Sequence, residues 1–307
     1  MAALATYRFG LSTLAPTCRS GPVHSYQSVF APQDDLSKPT VRNRTTLPDF
    51  TLVDDPEDPR IAEYVDLTDP ELRIATERDG GFFIAESPHV IETVLRANKP
   101  VRSVLITPHQ REALAPMLAT VTAPVFVAPP TVLRRVVGFD LHRGAVASVT
   151  RWPPPPLDSV LAGATRIAVV EGINDHENLG GLFRNAAAFG VDAVLLDEHC
   201  ADPLYRRSVR VSIGHVCTVP WTRYAHVDDI RNADFTLYAL THAADAVAIE
   251  AVAWAERAAV MVGAEGPGLS AASLAAADQR VRIPMAPGVD SLNIATAAAI
   301  AFHCFRR

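Results

Sequence analysis

The chain has 307 residues, 49% of them hydrophobic and 20% charged, enough to bury a sizeable core and ordinary for a globular protein. A net charge of −6 excludes a surface coated in positive charge but leaves room for a local basic patch. No apolar run approaches the ~20 residues of a membrane span, and the four cysteines, with no CxxC pair or histidine cluster, supply no metal site and read as reduced, structural thiols of a cytoplasmic protein.

Residues 1–48 carry scattered Pro, Ser and Thr, no sustained periodicity and no acid before Asp34. Such an Arg-containing leader fits a transit peptide, but its prolines and glycines spoil an amphipathic helix, so a flexible extension or an over-long start is expected. From Asp54 the pattern tightens. "PELRIATERDGGFFIAES" predicts a helix, a turn at Gly80-Gly81 and a strand from Phe82 to Ala85. "SPHVIETVLRANKP" predicts a helix with Val90, Ile91, Val94 and Leu95 on its apolar face, stopping near Asn98 and Pro100. "VRSVLITP" is a strand, "REALAPMLATV" a helix, "APVFVAPP" a strand, "TVLRRVVGF" a helix and "RGAVASVTR" a closing strand. This alternation predicts a small α/β domain over 49–150.

"RWPPPPLDS" is the boundary, a Pro-rich linker over 151–160, because consecutive prolines continue neither a helix nor a central strand. A second domain over 161–307 alternates again. Its predicted strands are "RIAVVEGI", "DAVLLD", "HVCTVPW", "FTLYALT", "AAVMVGAEG" and "RVRIPM"; its helices lie near 179–189, 204–213, 226–232, 269–276 and 291–305. The fold class is α/β, with a mostly parallel sheet in this larger domain.

Three loops of the second domain hold the candidate chemistry. In "AAVMVGAEGPGLS" a buried strand runs into Gly263, Glu265, Gly266, Pro267 and Gly268. Glycines at a strand end let a ligand approach the backbone, although a tight turn alone uses the same residues. The loop lacks a phosphate-loop pattern, and Glu265 suits hydroxyls or positive charge. In "RVRIPMAPGVDSLNIATAAAIAFHCF" a strand is expected to end at Met285 and a helix to begin near Ser291, a suitable N-cap, with Leu292 and Asn293 in the first turn. Plain capping accounts for that pattern too. In "INDHENLGGLFRNAAAFG" a helix ends at Gly190. Asn178 and Arg184, six residues apart, would sit about 120° around one helix, so Asn178 is expected in the loop or cap, folded back toward Arg184. Arg184 is either a snorkelling surface arginine or, among Gly180, Gly181 and Ala186–Ala188, an arginine at a contact with another chain.

Together these stretches resemble the SpoU/TrmH family of RNA ribose 2′-O-methyltransferases, in the SPOUT superfamily. The first motif matches at Asn178, Gly180, Arg184 and Phe189-Gly190, the second at Gly263, Glu265, Gly266, Gly268 and Leu269, the third at Ile283-Pro284-Met285 and Ser291-Leu292-Asn293 with Ala295. The first domain resembles the family's ribosomal-protein-like RNA-binding module, so the resemblance covers residues 58–305. It departs at His176, where the family commonly has Pro, and at Ser87, where the module often has Gly.

The resemblance implies a trefoil knot in the second domain, S-adenosylmethionine bound in it, and a homodimer in which Arg184 is buried by the second chain and faces the reacting ribose. It implies Asn178, Arg184, Glu265 and Asn293 as catalytic residues and Thr241, Gly263, Ile283, Met285, Ser291 and Leu292 as cofactor contacts. Arg184 either takes the 2′-OH proton or stabilises the developing alkoxide. An RNA substrate needs phosphate contacts, and the clusters Arg134, Arg135, Arg143 and Arg206, Arg207, Arg210 are candidates, each equally readable as a solvated face. The added N-terminal module points to ribosomal RNA ahead of tRNA. The alternatives are a tRNA 2′-O-methyltransferase and a catalytically silent RNA-binding or ribosome-assembly protein. No metal and no membrane are expected.

Overall fold

β-Branched runs separated by Gly, Pro and Asn form two sheets in the computed structural model, which describes residues 49–289 and 291–306. The leader over 1–48, with Cys18, lies outside the described residues.

The first sheet contains β1 (Phe50–Leu52), β2 (Phe82–Glu86), β3 (Val101–Ile106), β4 (Val125–Val127) and β5 (Ala145–Thr150), in the order β1-β4-β3-β5-β2. β1, β4 and β3 run parallel, and β5 pairs antiparallel with β3 and β2. Helices α1 (Pro70–Asp79), α2 (Pro88–Arg96), α3 (Gln110–Leu118) and α4 (Pro130–Val137) connect them. α2 buries Val90, Ile91 and Val94, and α4 buries Leu133, Val136 and Val137, the faces their apolar spacing predicts. β1 and a 3-10 turn over Pro59–Tyr64 are additions to the sequence reading.

The second sheet contains β6 (Arg166–Glu171), β7 (Ala193–Leu196), β8 (Trp221–Arg223), β9 (Thr236–Leu240), β10 (Val247–Ala248), β11 (Ala258–Gly263) and β12 (Gln279–Arg282). Its order is β10-β12-β9-β11-β6-β7-β8, and every pair is parallel. The central strands are buried along their length, as a sheet covered on both faces requires. Around it lie α5 (Leu157–Ala162), α6 (His176–Phe189), α7 (Arg206–Val211), α8 (Val227–Asn232), α9 (Ala271–Ala276) and α10 (Ile294–Phe305). α5 leaves the proline run directly at Leu157. α6 ends at Gly190, whose φ of 67° is the left-handed turn expected there.

The boundaries differ from expectation in several places, each with a local cause. "HVCTVPW" is not one strand: a 3-10 turn at His215–Cys217 precedes Pro220, and only Trp221–Arg223 pairs. β12 stops at Arg282 because Pro284 has no amide proton to extend the ladder. α10 begins at Ile294, not at Ser291, because Asn293 takes the capping position. α6 begins at His176, three residues early, because Asp175 caps it by accepting from the Asn178 amide at 2.7 Å.

α6 and α10 pack closely through small residues. A Cβ on Gly181 would lie 3.0 Å from that of Ala295, and Asn185 Nδ2 donates to the Ala295 carbonyl at 2.8 Å. One hydrophobic cluster runs from Phe83 and Val104 beside the first sheet to Val170, Val260 and Phe302 beside the second. Among the described residues no helix is long and apolar enough to cross a membrane.

Candidate active site

The carboxyl ends of the parallel strands β6 and β11 are neighbours, Gly263 registering with Glu171, so the loops leaving both strands open at the same end of the sheet. An open α/β sheet binds ligands there. The β11 loop doubles back tightly: the Gly268 amide donates to the Ala264 carbonyl at 2.9 Å, with Gly266 at φ 88° and Gly268 at φ 71°. A Cβ on Gly263 would lie 2.2 Å from the carbonyl carbon of Gly268. Gly263 is therefore required by the loop's own backbone, a different reason from the ligand approach expected of it.

Three side chains from the three loops close into a hydrogen-bonded triangle. Asn178 Nδ2 donates to Glu265 Oε1 at 3.1 Å, Asn293 Nδ2 donates to Asn178 Oδ1 at 2.7 Å, and Asn293 Nδ2 also reaches Glu265 Oε1 at 3.1 Å. Asn293 Oδ1 meanwhile accepts from the amides of Ala295 and Thr296, capping α10. Asn178 thus lies inside the first turn of α6 and turns toward Glu265, not back toward Arg184 as expected. Its amide is tied to the Asp175 cap, which fixes the turn and aims the side chain across the loops.

A cavity of about 530 Å³ opens at this triangle. Thr241, Gly263, Ile283, Met285, Ser291 and Leu292 all line it, together with Glu265 and Asn293. Leu240, His242, Ile294 and Ala297, which the sequence reading missed, also line it, as does the β11 loop through Ala264, Gly266 and Gly268. Leu292 is a large apolar side chain left 37% exposed at this site. The Thr241 amide donates to the Val281 carbonyl at 2.8 Å, which sets the β9 loop against the β12 end. A second cavity of about 570 Å³ shares Glu265, Ala264, Gly268 and Ile294 with the first and adds Asn178, Asp175, Glu171 and Asp197. Among the described residues no group of His, Cys, Asp and Glu is arranged to hold a metal ion.

Arg184 stands apart from the triangle, exposed on α6 in the single chain, where burial was expected from a second chain. Burial, with the Arg184 charge as a smaller contribution, holds the His215 imidazole below its usual range. Burial likewise lowers His176, whose ring lies 4.3 Å from that of Tyr205.

The arginine clusters divide. Arg143 is exposed, Arg135 lies 3.8 Å from Glu57, and Arg207 lies 3.8 Å from Glu177. Arg134 Nε donates to Asp140 at 2.6 Å yet stays largely exposed. Arg210, half-exposed, lies 3.8 Å from Glu86. Arg206 is not placed as a surface phosphate contact: it is only 14% exposed and its guanidinium donates to Glu86 Oε2 at 2.5 Å and to the Leu67 carbonyl at 3.0 Å.

The SpoU rRNA Methylase family matches residues 165–303. An uncharacterized tRNA/rRNA methyltransferase of Mycobacterium bovis is 45% identical over 83% of this chain and 91% of its own length. The 23S rRNA (guanosine(2553)-2′-O)-methyltransferase RlmP of Bacillus subtilis is 26% identical over 73% of this chain and 88% of its own length. The SpoU methyltransferase AviRb from Streptomyces viridochromogenes, solved in complex with AdoMet, has the same fold, with a TM-score of 0.70, 22% identity, and coverage of 81% of this chain and 97% of AviRb. The chain belongs to the SpoU family of RNA methyltransferases.

Proposed function

We propose that this methyltransferase modifies a ribose 2′-hydroxyl, in ribosomal RNA ahead of tRNA, and does so as a homodimer. The observation that carries the reading is the Asn178–Glu265–Asn293 triangle, two corners of which, Glu265 and Asn293, line the 530 Å³ cavity. The names of RlmP and of a Nitrosomonas europaea relative 33% identical over 57% of this chain, a 23S rRNA (guanosine-2′-O-)-methyltransferase, support ribose and ribosomal RNA as the target.

S-adenosylmethionine is the cofactor. The cavity fits it: Ile283, Met285 and Leu292 offer apolar surface, and the loops at Thr241, Gly263 and Ser291 offer backbone and hydroxyl groups. When bound, the cofactor supplies an electrophilic methyl group. The chain's own task is to present and activate the 2′-hydroxyl, a poor nucleophile while protonated. Arg184 serves this from a second subunit, either accepting the proton or stabilising the alkoxide; its exposure and its freedom from ion pairs among the described residues suit a residue waiting for a partner surface. Glu265 Oε1 accepts from the Asn178 and Asn293 side-chain amides, and these two bonds hold the carboxylate at the cavity. Residues 49–150 form the substrate-binding domain, the proline run ending at Pro156 is the linker, shorter than the expected 151–160 because α5 starts at Leu157, and the chain from α5 onward forms the knotted catalytic domain. Arg134, Arg135, Arg143, Arg207 and Arg210 contact phosphates.

Transfer of labelled methyl to ribosomal RNA and, separately, to tRNA, from cells lacking this protein, tests the reading, with Arg184→Ala as control. Label at a ribose 2′-oxygen, lost in the variant, is expected. No transfer and no cofactor binding would leave only a silent RNA-binding scaffold.

A further inference from the structure

Arg206 reads in the sequence as one of a basic cluster, but its surroundings assign it other work. Glu86 ends β2 of the first sheet and is as buried as Arg206, each 14% exposed. Arg206 also donates to the Leu67 carbonyl and lies over the Phe139 ring at 5.2 Å. A second tie runs alongside it. Arg151 donates to the Phe82 carbonyl at 2.8 Å and pairs with Asp202 at 2.8 Å. A Cβ on Gly214 would sit 2.9 Å from Thr93 of α2. The segment 202–214 is thus gripped by the first domain along its length.

The other side of the same segment holds the start of α6. Ser208 Oγ donates to the His176 carbonyl at 3.0 Å, the Tyr205 ring packs on the His176 ring, and a Cβ on Gly180 would lie 2.7 Å from the Ser208 carbonyl. Asn178 lies between His176 and Gly180, and its side chain forms one corner of the triangle. On this side the links are a hydrogen bond, a ring contact and a close approach to backbone, so a displacement of α7 displaces the turn that aims Asn178. A misplacement of about 1 Å at a reaction site can cost ~100-fold in rate.

We propose that α7 is a mechanical relay between the substrate-binding domain and the reaction site, and that Arg206, through Glu86, is a positioning residue and not an RNA contact. The proposal rests on Asn178 belonging to the reaction site. It predicts that the seating of the first domain on RNA is felt at Asn178 through the Glu86–Arg206 pair.

The test uses the full chain and the isosteric variant Glu86→Gln. Hydrogen exchange without RNA reads the relay alone: amides over 176–182 are expected to exchange faster in the variant, and unchanged protection overturns the relay. Methyl-transfer kinetics read its consequence: kcat is expected to fall about tenfold while KM for RNA stays within about twofold and cofactor affinity is unchanged. If Arg206 instead contacts phosphate, releasing it leaves kcat intact and lowers KM, which overturns the proposal. Arg206→Gln separates the two from the other side: a kcat loss supports the relay, and a raised KM with intact kcat overturns it. A wild-type chain that methylates no RNA refutes the proposed function, and the exchange result then stands by itself.

Discussion

Asn293 donates to Asn178 across 115 residues of chain, and the same side chain caps α10. One amide therefore joins helix stability to site geometry, and two substitutions separate the roles. Asn293→Ala is expected to remove the cap and cost about 1 kcal/mol of stability as well as activity. Asn293→Asp keeps a capping oxygen but sets a carboxylate against Glu265, so thermal stability is largely retained while methyl transfer falls. Thermal unfolding and a methyl-transfer assay on both variants check this; equal loss of stability in the two would undo the separation.

Gly263 has no room for a side chain. Even Gly263→Ala places a Cβ 2.2 Å from the Gly268 carbonyl carbon, and because the neighbours at Gly268 and Leu269 are backbone, the loop must move. The expected outcome is a folded protein whose cofactor affinity drops by more than about tenfold, since the displaced loop forms the cavity wall. Calorimetric titration with S-adenosylmethionine, alongside circular dichroism, measures both. Wild-type affinity in the variant would remove this loop from the cofactor site.

Arg184→Ala is expected to leave stability within about 0.5 kcal/mol, because the arginine is exposed and makes no ion pair or hydrogen bond among the described residues. Activity is expected to fall more than about a hundredfold, the scale of losing a charge aimed at a developing anion. Chemical denaturation and single-turnover transfer distinguish this from a structural arginine, which would fail in both.

Burial lowers the folded-state affinity of His176 for a proton, and His215 behaves alike. As pH falls below about 6.5, the unfolded chain takes up these protons before the folded one does, so stability decreases. The decline begins at the unfolded value and continues until the lowered folded values are passed. His176→Phe, which keeps a ring against Tyr205, is expected to flatten part of this slope in urea unfolding between about pH 7.5 and about pH 5.5. An unchanged slope would place the proton uptake elsewhere.

The elements with local signatures were legible in the sequence. The apolar faces of α2 and α4, the glycine ending α6 and the buried strand leading to Gly263 all depend on neighbours a few residues away. The three motif loops were found for the same reason, and all six expected cofactor contacts line one cavity. What escaped depends on distant partners. Asn178 turns to Glu265, 87 residues on, and Arg206 to Glu86, 120 residues back, distances at which spacing carries no information. β1 is a three-residue edge strand, too short for a periodic signal and formed only because β4 offers it a ladder. The choice between Ser291 and Asn293 as cap turned on the triangle, since either residue type caps well in isolation.

The triangle also sets an order of events. Its corners enter the growing chain at 178, 265 and 293, so a nascent chain carries most of both sheets before the last corner exists. Until α10 docks on α6, Glu265 lacks the amide of Asn293 and α10 lacks its anchor at Asn185. Contacts this far apart in sequence form late and slowly. The arrangement therefore makes closure of the triangle coincide with completion of folding, so that a half-made chain holds its first sheet while the cavity still lacks one corner.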